Sequence, residues 1–167
     1  FETDDEPPSN SVENVVKNLQ SNQDSSDPTV PLARKAYTSL SRLAEAIELR
    51  VPYSQYSAQL FDAKAVVDDA TAALPEGAVK IDLNHALEVF TDAARAWGAV
   101  QQQYGPYAGR IPIKSEPGST LMRKYNIKPE VNAVGDADHL KIDTALKTIL
   151  AAAKPILKNL DFIIGQP

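Results

Sequence analysis

Residues 29–77 read TVPLARKAYTSLSRLAEAIELRVPYSQYSAQLFDAKAVVDDATAALPEG, and the spacing of their apolar positions decides the fold. Ala33, Ala36, Leu40, Leu43 and Ile47 recur in alternating steps of three and four, the repeat of a helix face that packs on other helices. Arg34, Lys35, Arg42, Glu45 and Glu48 fall off that stripe, as a solvated face should. Pro31 suits the first turn, where its missing N–H has no partner to lose. The stripe then changes phase. Carried forward from Ile47 it would reach Ser54 and Ala58, but the apolar positions are Tyr53, Tyr56, Leu60, Ala63, Val67, Ala70 and Leu74. Pro52 stands between the two phases, removes a backbone donor and disfavours helical geometry at Val51. The jump predicts two helices, over 29–50 and 53–74, joined as an αα-hairpin, with Leu74-Pro75-Glu76-Gly77 as the closing turn.

The same period recurs on the C-terminal side. Leu83, Ala86, Phe90, Ala93, Trp97, Val100 and Tyr104 form a stripe that predicts a third helix over 82–104, with Asp82 as its N-cap and Gly105-Pro106 as its stop. Ile142, Leu146, Ile149, Ala153, Ile156 and Leu160 predict a fourth over 137–160, capped by Asp136 or Asp138 and kinked at Pro155. The tail DFIIGQP is apolar enough to dock back on the helices. Between the third and fourth helices the pattern fails. Gly105, Pro106, Gly109, Pro112, Pro117, Gly118, Pro129 and Gly135 predict a long crossover loop over 105–136, with one helical turn from Ser119 to Tyr125. The expected fold is therefore all-α: a four-helix bundle over 29–167 with a long crossover between helices three and four.

Residues 1–28 are of another kind. They hold Glu2, Asp4, Asp5, Glu6, Glu13, Asp24 and Asp27 against Lys17, a balance of −6, and are rich in Ser, Asn and Pro. Such a segment cannot bury enough apolar surface to offset its ordering entropy, so it reads as a disordered or loosely packed acidic leader. Within it, Val12, Val15, Val16 and Leu19 lie on one side at helical spacing, which leaves a strap against the bundle as the other reading. A leader of this composition, with a first residue that is Phe, points to an exported chain, extracytoplasmic and with a membrane tether upstream of Phe1 conceivable. No apolar run approaches the ~20 residues of a membrane-spanning helix.

Composition narrows the chemistry. The 167 residues include no cysteine, which removes disulfides, thiolate metal sites and thiol nucleophiles together. Aromatics are only 7% of the chain while 43% is hydrophobic, so alanine supplies much of the core and close helix packing is favoured. The net charge of −5 argues against nucleic acid as a partner. His85 and Glu88 share a face three residues apart, but the order reverses the Glu-x-x-His of di-iron bundles and has no second copy. His139 lies among Asp136, Asp138 and Asp143, which reads as the acidic first turn of a helix. Neither cluster predicts a metal site. No nucleophile elbow, phosphate loop or dinucleotide fingerprint is present, and no catalytic residue or cofactor is expected.

The functional expectation is a non-enzymatic accessory or protein-interaction domain. Its candidate surface is the crossover. Residues 105–129 hold Arg110, Lys114, Arg123, Lys124 and Lys128 against Glu116, a balance of +4, and Tyr104 and Tyr107 flank the start of the loop. Rigid aromatics beside arginine give contact area at low entropy cost, so Tyr104, Tyr107, Arg110 and Arg123 are the partner-binding candidates. The alternative is a bundle that binds a small ligand or a metal between helices, near Tyr53, Tyr56 and His85.

Overall fold

The computed structural model describes residues 28–101, 103–104, 108–132 and 134–165. The leader up to residue 27, including Val12, Val15, Val16 and Leu19, lies outside the described residues, as do Gly105, Pro106 and Tyr107. The chain is mostly helical. Its elements in order are α1 (Thr29–Glu48), α2 (Tyr53–Ala73), α3 (Ala78–Gly98), β1 (Arg110–Pro112), α4 (Gly118–Lys124), β2 (Glu130–Val131), β3 (Ala137–Lys141) and α5 (Ile142–Ile164).

The stripes do what their spacing demands. Ala33, Ala36, Leu40, Leu43 and Ile47 of α1 are all buried, together with Tyr56, Ala63, Val67 and Ala70 of α2. Leu83, Ala86, Phe90 and Ala93 of α3 and Leu146, Ile149, Ala153 and Leu160 of α5 complete the core between the helices. The break at Pro52 is a tight turn. Arg50, at φ 52°, is the left-handed residue that ends α1, with its N–H bonded to the Ile47 carbonyl and the Val51 N–H to Ala46. Those two bonds are the helix-ending pair usually built on glycine.

The long helices meet at two poles. At one, Thr29 and Val30, the Leu74–Gly77 turn, Val79 and Ile164 surround a common groove, and the Arg34 guanidinium donates to the Ile164 carbonyl at 3.4 Å. At the other, Arg50 reaches Asp143 at 2.7 Å across the end of α1 and the start of α5, while Tyr53 packs on Gly98. Successive long helices therefore run antiparallel. No helix among the described residues is long and apolar enough to cross a membrane.

The crossover departs from the expected loop. Its helical turn is present as α4, but Arg110–Pro112 and Glu130–Val131 join Ala137–Lys141 in a three-stranded antiparallel sheet of order β1-β3-β2, so the chain is not all-α. Arg110, Ile111 and Pro112 pair with Lys141, Leu140 and His139, and Glu130 with His139. The strands hold three, two and five residues, too short for a period-two pattern to stand out. β3 also corrects the fourth helix. Residues 137–141 are strand rather than first turn, the helix starts at Ile142, and Asp136 and Asp138 cap nothing. His139 is buried within the sheet instead of standing in an acidic helical turn.

Two further boundaries move. The third helix begins at Ala78, so Asp82 lies inside it, where its carboxylate accepts a bond from Asn159 of α5. It ends at Gly98, beyond which Val100, Gln101 and Gln103 donate three residues back in tighter turns. At the C-terminus α5 runs through Pro155 as one helix to Ile164, which is buried, while Phe162 stays exposed.

Candidate functional site

Beside the apolar contacts of Ile111, Leu121, Ile127 and Leu140 with the core, one buried carboxylate joins the crossover to α3. Asp92 sits on α3 among Val89, Ala93 and Ala96, on the buried stripe, and is 2% exposed. Burying a lone carboxylate is costly, so it must be fully bonded. It is. Its Oδ2 accepts from Lys124 Nζ at 2.7 Å and from the Tyr125 hydroxyl at 2.8 Å, while Oδ1 accepts from Arg95 at 3.4 Å. Lys124 also reaches Glu88, one turn back on α3. Burial works against the Lys124 ammonium, but the bonds to Asp92 and Glu88 outweigh it and hold its pKa above the ordinary lysine value. Burial, and then the bond to Asp92, pushes the Tyr125 phenol up as well.

Local sequence explains why the partners arrive there. Lys124 closes α4, where a cation suits the negative helix end, and Tyr125 follows directly. The start of α4 is organised by Glu116, whose Oε1 accepts from the Ser119 and Thr120 hydroxyls at 2.5 and 2.8 Å. Those bonds hold the Glu116 carboxyl below the usual range, with the Arg123 charge adding to the effect. Gly118 lets α4 lie directly on β1, for a Cβ there would stand 1.9 Å from the Pro112 carbonyl oxygen. Between α3 and α4 a cleft of about 480 Å³ is lined by Asp92, Arg95, Glu116, Thr120 and Leu121. Its Asp92 carboxylate is committed to three donors and its Glu116 to two.

The β2–β3 turn is built as firmly. Asn132 Oδ1 accepts from the Val134 and Asp136 N–H groups at 3.0 and 2.9 Å, and Gly135 supplies the left-handed φ of 91°. Asn132 Nδ2 donates to Asp138 at 3.0 Å, and the other Asp138 oxygen meets His139 Nδ1. Those two bonds, His139 first, hold the Asp138 carboxyl below its ordinary range, with Arg110 contributing its charge.

Among the partner-binding candidates, Tyr104 is 82% exposed, while Arg110 and Arg123 are exposed on β1 and α4. No hydrogen bond or ion pair joins these three to one another among the described residues; the Arg110 backbone N–H donates to Gln103 at 3.2 Å. Arg110 and Arg123 sit on separate elements of the crossover, and Tyr104 precedes it. Tyr107 lies outside the described residues.

The alternative trio is separated. Tyr56 is wholly buried, its hydroxyl donates to the Phe90 carbonyl at 2.9 Å, and its ring lies 5.4 Å from that of Trp97. Burial pushes its phenol up. Tyr53 packs on Gly98 at the end of α3, whereas His85 is exposed near the start of α3, thirteen residues or ~20 Å along the helix. Among the described residues no group of three His, Asp or Glu side chains is arranged to hold a metal ion.

Asp92 and Tyr125 are absent from the sequence-derived candidates, and Glu88 enters them only beside His85, in a pair that predicts no metal site. One signal marks Asp92: it is an acid three residues after Val89 and four before Ala96, inside the apolar face of α3. Comparison with protein-family models, curated proteins and solved structures gives no match.

Proposed function

We propose that the chain is a four-helix bundle that acts as a non-enzymatic interaction domain outside the cytoplasm, with the folded crossover as its contact surface. The observation that carries this reading is the Asp92 clasp. It fixes α4 to α3, so the exposed Arg110, Lys114, Arg123 and Lys128 stand on a rigid support. Pre-ordered side chains lose little entropy on binding, which is the physical advantage of such a platform. Lys124 is spent on the clasp, and the remaining basic residues suit a protein partner with an acidic face. The antiparallel arrangement of α1, α2, α3 and α5 supports the bundle, and the acidic Ser, Asn and Pro-rich composition of residues 1–28 supports the extracytoplasmic setting.

The test is charge reversal at both arginines. An R110E/R123E chain should stay folded with at most a modest loss of urea stability, because both side chains are exposed and act on the fold only through the charge each presents to Asp138 and Glu116. Partner capture by the immobilised full chain should fall at least about tenfold. Undiminished capture would remove the crossover as the contact surface.

A further inference from the structure

The pole farthest from the sheet carries an apolar groove of about 430 Å³, walled by Val30, Ala33, Leu74, Pro75, Val79 and Ile163. Val30 is 42% exposed and Ile163 36%. Scattered exposed apolar residues are ordinary, but these gather at one rim. A second, shallower groove shares Val30 and continues along α1 past Arg34, Lys35 and Arg42, and the charged residues that line it are all basic. In a chain of net charge −5 that strip is a local reversal of sign.

Three features select one occupant. The leader joins α1 at Pro28, directly before Thr29 and Val30 on the groove wall. Its balance of −6, from Glu2, Asp4, Asp5, Glu6, Glu13, Asp24 and Asp27 against Lys17, is opposite in sign to the α1 strip. Its one apolar cluster, Val12, Val15, Val16 and Leu19, has the spacing of a single helical face and matches the chemistry of the groove. Reach is no obstacle, since the eleven residues from Leu19 to Val30 span up to ~36 Å when extended. A tether of that length also holds the segment near the groove at an effective concentration on the order of millimolar. We propose that residues 11–19 dock in this groove through Val12, Val15, Val16 and Leu19, with the leader's acidic residues facing Arg34, Lys35 and Arg42. The leader is then an intramolecular strap over the pole opposite the crossover.

The absence of cysteine makes a direct test simple. Ile163→Cys in the full chain places a single thiol at the rim, at a position exposed enough to tolerate the change. Its rate of maleimide labelling is compared between the wild-type leader and a V12S/V15S/V16S/L19S leader, with Val131→Cys on the sheet as a reference thiol. The wild-type leader should slow labelling at the rim by about tenfold or more, independently of protein concentration, and leave the reference thiol unchanged. Val30→Cys, 42% exposed on the groove wall, gives the same reading should Ile163→Cys perturb folding. Equal rim rates with the two leaders would overturn the proposal. So would protection that grows with protein concentration, which would mean that a second copy covers the groove.

Discussion

Asp92 joins α3 to the end of α4 through Lys124 and Tyr125, and its chemistry sets a clear expectation. Replacing it with Ala leaves Lys124 and Tyr125 without their shared acceptor. Lys124 keeps 30% of its side chain in solvent, so the loss falls short of a fully buried pair. The D92A chain should be less stable by ~1–3 kcal/mol in urea titration, and D92N by less, because the amide oxygen still accepts. Both should leave the core of α1 and α2 intact. Gly118 gives a second test at this scale. A Cβ there would meet the Pro112 carbonyl at 1.9 Å, a backbone contact that cannot yield by a side-chain rotation. G118A should therefore cost ~3 kcal/mol or more, whereas G77A, with nothing within 4 Å of its Cβ, should be neutral within ~0.5 kcal/mol. Equal stabilities for the two glycine variants would contradict the packing of α4 on β1.

At the scale of elements, α5 carries Pro155 at an exposed interior position, where it removes a helical donor. P155A should stabilise the chain by ~1–3 kcal/mol, measured by the shift of the urea midpoint. The crossover should respond to acid before the helices do. Glu116 and Asp138 both titrate below their unfolded values, so each stabilises the folded crossover above ordinary carboxylate pKa values. That contribution disappears as pH falls through the depressed folded values. NMR spectra taken between pH ~5 and pH ~2 should show the start of α4 and the β2–β3 turn losing their native structure while the backbone of α1 and α2 stays helical. The four long helices were legible because each repeats its apolar step over about four or more turns. β1 and β2 were not, since three and two residues cannot display a period, and β3 mimics a helical start by placing Asp136 and Asp138 before Ile142. Pairing Ile111 with Leu140 links residues 29 positions apart, a contact that no local window reports. Arg110 and Arg123 were legible as surface candidates. The carboxylate that supports their platform was hidden among Val89, Ala93 and Ala96, where only its misfit with the stripe marked it.

For the whole molecule, the long helices have two distinct poles. One bears the apolar groove beside a basic strip of α1, and the other bears the folded crossover with its exposed cations. The clasp between α3 and α4 makes the crossover part of the helical body, so a partner bound there meets a fixed shape. The central claim is that partner contact occurs on this crossover, and site-specific photo-crosslinking tests it most directly. A photoreactive residue is placed at Tyr104, 82% exposed beside the crossover, or at Phe61, 76% exposed on α2, in full chains produced in their own cells. The account predicts a discrete partner adduct from position 104 that R110E/R123E abolishes, and none from position 61. An adduct from position 61 alone, or one from position 104 that survives the double charge reversal, would contradict it.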